Sequence, residues 1–182
     1  VREERQGIGL ARFVKRRLEA RGVSAELADP LEITLPLLER RYKHHEPGMA
    51  PEPMVRMAGM IERADAVVVV SAEYNHGIPP ALKNMLDHYL EEWFFKPAGI
   101  VSYSAGRFGG VRAAMQLRMT LAELGMVTVS SLLPVPGVGN AVGEDGEDRT
   151  DWLTAAADRF LDDLLWWTAA ARAQKAKTGT PF

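Results

Sequence analysis

The chain has 182 residues, 47% of them hydrophobic and 25% charged, the size and balance of one folded domain. Its 22 Lys+Arg against 24 Asp+Glu leave a formal charge of -2, without the basic excess that nucleic-acid binding needs, so DNA and RNA are set aside as partners. The absence of cysteine removes disulfide frameworks, thiolate metal sites and cysteine nucleophiles and fits a reducing compartment such as the cytoplasm; the apolar runs fall well short of the ~20 residues of a membrane span.

Residues 8–21 place Leu10, Phe13, Val14 and Leu18 at helical spacing, with Arg12, Lys15, Arg16 and Glu19 opposite; this predicts an amphipathic helix that stops at Gly22. Residues 23–28 then alternate, Val23, Ala25 and Leu27 on one side, Ser24 and Glu26 on the other, and predict an edge strand. Residues 30–53 are rich in proline and charge without periodicity and predict an excursion loop with at most a short helical turn. Met54, Met57, Ala58 and Ile61 restore a helix that ends before Ala64. The β-branched run 66–71 is the pattern of a central parallel strand covered on both faces.

Pro79 and Pro80 open a helix, since a first turn needs no N–H there, and Leu82, Met85, Leu86, Tyr89 and Leu90 form its stripe. Strand 98–103, loop 104–110, helix 111–124, strand 126–133 and a last helix from about 151 to 174 repeat the same grammar. Alternating strand and helix predicts an α/β layered fold with a parallel sheet. Residues 1–174 are expected to form one domain and 175–182 a frayed tail. The acids between 144 and 163 read as a solvated helix start, which favours the positive end of a helix dipole.

In such a sheet, ligands bind beyond the carboxyl ends of the strands, which makes three loops informative. Arg2 to Gly9 carries guanidinium groups at a helix start, a ready phosphate site. The segment from Glu73 through Tyr74, Asn75, His76 and Gly77 to Pro80 combines a flat ring, an amide and a stiff exit that could hold a planar heterocycle, or could be plain turn chemistry. Ser104, Ala105, Gly106, Arg107, Phe108, Gly109 and Gly110 allow close backbone approach, but match neither a Walker loop nor a dinucleotide fingerprint. No nucleophile elbow or metal-binding helix occurs. His44, His45 and His88 read as solvated histidines, and no metal is expected.

The run Ser71-Ala72-Glu73-Tyr74-Asn75-His76-Gly77-Ile78-Pro79-Pro80-Ala81-Leu82-Lys83-Asn84-Met85-Leu86-Asp87, together with Ser102 to Ala114 and Leu132-Leu133-Pro134, resembles the NADPH-dependent FMN reductase family of chromate, quinone and azo reductases. Ala72 stands where the family has proline. The resemblance implies a flavodoxin-like three-layer fold, order 2-1-3-4-5, and bound FMN. Its phosphate would meet Arg2, Arg5, Gln6, Gly7 and Ile8; its ring would lie against Glu73, Tyr74, Asn75, His76 and Gly77; and Ser104, Ala105, Gly106, Arg107 and Gly109 would close the other side. NADPH or NADH would deliver hydride to FMN N5, and a small-molecule acceptor would receive the electrons in a ping-pong cycle with no protein acid or base in the first half-reaction. An electron carrier of flavodoxin type is the alternative, which the near-neutral charge disfavours.

The resemblance and the apolar content add two expectations. Family members begin with an apolar strand and a Gly-Ser turn, so that strand, about eight residues, is expected upstream of Val1, where there is neither a hydrophobic signal core nor an initiating methionine. Met85, Leu86, Tyr89, Leu90, Trp93, Phe94 and Phe95 exceed what one sheet face needs, and with the family habit they predict a homodimer or homotetramer.

Overall fold

A computed structural model describes every residue from Val1 to Phe182. Three parallel strands, β1 (Val67–Ala72), β2 (Pro97–Tyr103) and β3 (Val127–Val135), pair in chain order. Six α-helices accompany them: α1 (Gly7–Glu19), α2 (Glu52–Arg63), α3 (Pro80–Asp87), α4 (Val111–Glu123), the single turn α5 (Val138–Ala141) and α6 (Leu153–Thr178). Each predicted helix is present; α5 hides in what reads as a Pro/Gly loop, and α6 continues through the expected tail to Thr178.

Because successive strand residues point to opposite faces, β2 feeds two separate cores. Ala98 and Ile100 join Met57, Ile61, Leu86, Tyr89, Leu117 and Leu121 beneath α2, α3 and α4. Val101 faces the other way, among Leu10, Phe13, Val14, Phe160, Leu161 and Leu164 of α1 and α6. Gly99 lies on that second face because a Cβ there would stand 2.6 Å from the Phe160 ring. Helices on both faces of the sheet make three layers.

The strand expected at residues 23–28 is not formed. Its alternation is realised, with Val23, Ala25 and Leu27 half-buried and their neighbours exposed, but no chain lies within reach to complete a ladder, and the nearby edge of β1 is likewise unpaired. Between them runs a cavity of about 1140 Å³, roofed by Val14 and Leu18 of α1 and Leu164 and Thr168 of α6, and floored by Met57, Ile61, Leu82 and Met85.

One more expectation is corrected. His88 is not solvated; it is completely buried, its Nδ1 2.7 Å from the Asn84 carbonyl and its Nε2 without a partner. Of the apolar residues counted toward a second copy, Met85, Leu86, Tyr89 and Trp93 are buried inside the chain, and Leu90, Phe94 and Phe95 are half-buried. The excursion loop folds back over α3. Ile33 is buried in the core, Tyr42 N–H donates to the His88 carbonyl at 2.8 Å, and Asn84 clamps the loop by accepting from Leu38 N–H and donating to the Pro36 carbonyl. His44 is exposed and His45 is half-buried on the same loop. No helix is long and apolar enough to cross a membrane.

Candidate functional site

The loops after β1 and β2 lie side by side at the carboxyl ends of the sheet, and α1 begins beside them. Residues 74–77 form a two-residue hairpin turn: Tyr74 N–H donates to the Gly77 carbonyl at 3.0 Å, and Gly77 N–H returns to Tyr74 at 2.8 Å. Asn75 and His76 both hold positive φ, 49° and 66°, the backbone of a type I′ turn, which Asn tolerates well and His less so. Such strain persists only where neighbours enforce it. Here the Gln116 side-chain amide donates to the His76 carbonyl at 3.1 Å.

Glu73 ties this turn to the next loop. Its carboxylate accepts from the N–H groups of Arg112 and Ala113, at 3.0 and 3.4 Å, and from the Arg112 guanidinium at 3.3 Å, so it serves as a cap for α4 supplied from another part of the chain. Burial opposes its charge, but those donors outweigh burial and hold the carboxyl below its ordinary value. The N-terminus of α4 is therefore already satisfied. At the N-terminus of α1, Gln6 contributes no side-chain cap, the first turn holds no acid, and the Gly7 backbone meets the Tyr103 phenol.

Two arginines precede α1 and differ in what they can offer. Arg5 is ion-paired to Asp29, whose carboxylate is buried and also accepts from Leu31 N–H at 3.0 Å. Burial raises the Asp29 carboxyl, and the Arg5 and Leu31 hydrogen bonds more than reverse this. Arg2 lies over the Tyr74 ring with its guanidinium carbon 5.8 Å from the centroid, a cation–π distance, and pairs with no carboxylate. The phosphate charge expected of Arg5 is thus spent within the chain.

Arg2, Arg5, Gln6, Gly7, Ile8, Glu73, Tyr74, Ser104 and Ala105 all line the upper end of the large cavity. Asn75, His76, Gly77, Gly106 and Arg107 lie outside its wall. Gly109 serves the packing of the loop. With φ 61°, it lies where a Cβ would stand 3.1 Å from Pro134, and its carbonyl accepts from the Ser102 hydroxyl at 2.7 Å. Sequence reading missed Tyr103, which lines the same end. Burial, and next the neighbouring Tyr74, raise its phenol above the ordinary value, only partly offset by the Gly7 backbone. Its position at the end of β2 was the available signal. Val138, which donates its N–H to the Ser104 carbonyl at 3.1 Å, was also missed.

The sequence that forms these elements matches a known family profile. The profile of NADPH-dependent FMN reductases covers residues 1–138. The chain belongs to that family. A quinone reductase of Pseudomonas putida is 32% identical over 146 residues, 76% of each chain. An NAD(P)H-dependent FMN reductase of Pseudomonas aeruginosa is 37% identical over 157 residues, 83% of this chain and 82% of that one. Among solved structures, the flavoenzyme NAD(P)H:(acceptor) oxidoreductase of Paracoccus denitrificans superposes with a TM-score of 0.74 at 25% identity, covering 91% of this chain and 93% of its own. As a member of the NADPH-dependent FMN reductases, the chain is an oxidoreductase that works with FMN and a nicotinamide donor, and its α/β fold with a parallel sheet is that of its flavoenzyme neighbour.

Proposed function

We propose that FMN binds across the upper end of the cavity and that the enzyme reduces quinone-like or azo acceptors with it. The observation that carries this reading is the meeting, in one cavity, of a helix start without a side-chain cap, a free arginine and Glu73 and Tyr74 at the head of a preformed turn. The N–H groups at the start of α1 and the Arg2 guanidinium suit a phosphate, since helix starts and arginine both favour such anions. Arg5, held by Asp29, positions the segment before α1. The backbone of residues 73–77 and the walls at Ser104 and Ala105 border the ring, with Tyr74 at its edge. FMN supplies the hydride chemistry when bound; the protein binds and orients it and limits water. Tyr103 keeps its proton at neutral pH and is a donor for a ligand oxygen.

The test is to purify the protein, release its flavin by heat, and follow aerobic NADPH and NADH oxidation with and without a quinone. Released FMN and quinone-stimulated oxidation are expected. Flavin bound without nicotinamide oxidation would replace an enzyme with a carrier, and no flavin would remove the site.

The flavodoxin-like order 2-1-3-4-5 is part of the same proposal. It needs one more strand between residues 23–28 and β1, with rows of backbone groups to pair on each side. The long cavity there has apolar walls above and below, as such a strand requires. Appending an apolar, β-branched stretch of about six residues and a Gly-Ser turn before Val1 is expected to raise the melting temperature and protect the β1 amides from hydrogen exchange. An unchanged melting temperature with unprotected amides would count against that topology.

A further inference from the structure

The loop after β2 carries one exposed aromatic ring that the flavin site does not use. Phe108 is 49% exposed, and two guanidinium groups lie over it, the carbon of Arg107 at 4.9 Å and that of Arg112 at 4.5 Å from the ring centroid. The loop beneath is held in place: Ser104 hydroxyl and Gly137 N–H both donate to the Gly106 carbonyl, at 2.9 and 3.1 Å, and Val111 N–H donates to the Phe108 carbonyl at 3.3 Å. Phe108 is therefore presented on an anchored backbone.

The two arginines differ in the charge they leave free. Arg112 is shared with Glu73 at 3.3 Å, and Glu73 is in turn committed to the start of α4. Arg107 has neither an ion pair nor a hydrogen bond to the chain. A half-exposed aromatic ring with an unneutralised guanidinium laid over it fits a ligand that is itself flat at one point and anionic at another, because arginine offers a flat face to a π system and paired N–H groups to phosphate. Ser104 and Ala105 of the same loop line the cavity, while Gly106, Arg107 and Phe108 lie outside its wall, so the platform stands at the rim.

We propose that Phe108 and Arg107 form the subsite for the adenosine half of the nicotinamide donor, and that Arg107 meets the additional 2′-phosphate which distinguishes NADPH from NADH. This assignment rests on the flavin-reductase reading of the adjoining cavity. The adenine packs on the layer that Arg107 and Phe108 form, Arg112 is a positioning residue that fixes the ring and joins it to Glu73, and Arg107 makes the charge-assisted contact on which the choice of donor depends. The hydride transferred is the same from either donor, so the subsite acts on selection and not on the chemistry.

The test compares wild type with Arg107→Ala and Arg107→Lys in two measurements. In steady-state turnover, the ratio of kcat/KM for NADPH to that for NADH is expected to fall about tenfold in Arg107→Ala, the loss of one charged phosphate contact, with part of it restored in Arg107→Lys. In calorimetric titration with adenosine 2′,5′-bisphosphate, which needs neither flavin nor turnover, binding is expected to weaken about tenfold in Arg107→Ala while adenosine 5′-monophosphate changes less than twofold. A donor ratio and a bisphosphate affinity both within twofold of wild type would overturn the subsite while leaving the flavin reading intact. A wild-type chain that binds bisphosphate but holds no FMN would fail the flavin reading and support the subsite.

Discussion

Gly9→Ala is expected to lower stability by about 3 kcal/mol, the upper range for forcing a methyl group into packed space, and to weaken FMN binding at the same time. A Cβ at Gly9 would stand 2.2 Å from the carbonyl oxygen of Gly143 and 3.1 Å from its carbon. Both are backbone atoms, so no side-chain rotation relieves the clash. Nor can the opposing loop withdraw freely. Arg12 and Arg16 of α1 hold it through the carbonyls of Glu144 and Asp145, at 3.0 and 2.5 Å, and Gly146, with φ 89°, approaches so closely that a Cβ there would lie 2.6 Å from Phe13 N. The helix must move, and its first turn is the one proposed to face phosphate. For a chain of this size the melting temperature should fall by roughly 6–12 °C, and FMN fluorescence titration should show a weaker complex. A variant that melts near wild type and binds FMN equally well would show that α1 and the 143–146 loop are loosely coupled.

The acids around that loop show what could be read locally. Asp148 caps the start of α6, accepting from Thr150 and Thr154 backbone and hydroxyl groups, and Asp158 is paired with Arg17 and Arg21. Their clustering is visible in the sequence; that Arg17 of α1 and Arg21 just beyond it come from the other end of the chain is not. β1, β2 and β3 were legible because a β-branched run bounded by polar loops needs no distant partner to be recognised. Residues 23–28 were legible as to side but not as to pairing, since alternation specifies which face is covered and a ladder needs a neighbour. His88 marks the limit of a helical projection: it lies off the apolar stripe of α3, yet the aperiodic excursion loop covers that side. Tyr89, one of the apolar residues that suggested an oligomer, packs against Tyr42 of the same loop. In the site, strand ends identified the right loops, but the Arg5–Asp29 pair joins residues far apart in sequence, and only the fold shows that this arginine is already neutralised.

Glu73→Ala is expected to damage the two site loops together. It removes the acceptor of two N–H groups at the start of α4 and the partner of Arg112, at a side chain only 10% exposed. Loss of a cap and of a charge-assisted hydrogen bond together should cost about 2 kcal/mol, lowering the melting temperature by roughly 4–8 °C. The Tyr74–Gly77 turn then loses its tether, and FMN affinity is expected to fall about tenfold, because a ring held by backbone groups depends on their fixed spacing. Glu73→Gln keeps an acceptor oxygen and should recover part of both losses.

The pH dependence separates this from simple loss of packing. Glu73 has a folded-state pKa below its unfolded value, so its stabilisation is present at pH above the ordinary carboxylate range and is lost as pH falls through the folded value. The deficit of Glu73→Ala against wild type should therefore be full near about pH 7 and shrink at a pH below the depressed folded value, where the wild-type carboxyl is itself protonated. Asp29, Asp148 and Asp158 are depressed in the same sense and destabilise both proteins equally on acidification, so they drop out of the difference. A deficit of the same size at both pH values would mean that Glu73 acts through its shape, and that the charge linking the turn to α4 contributes nothing.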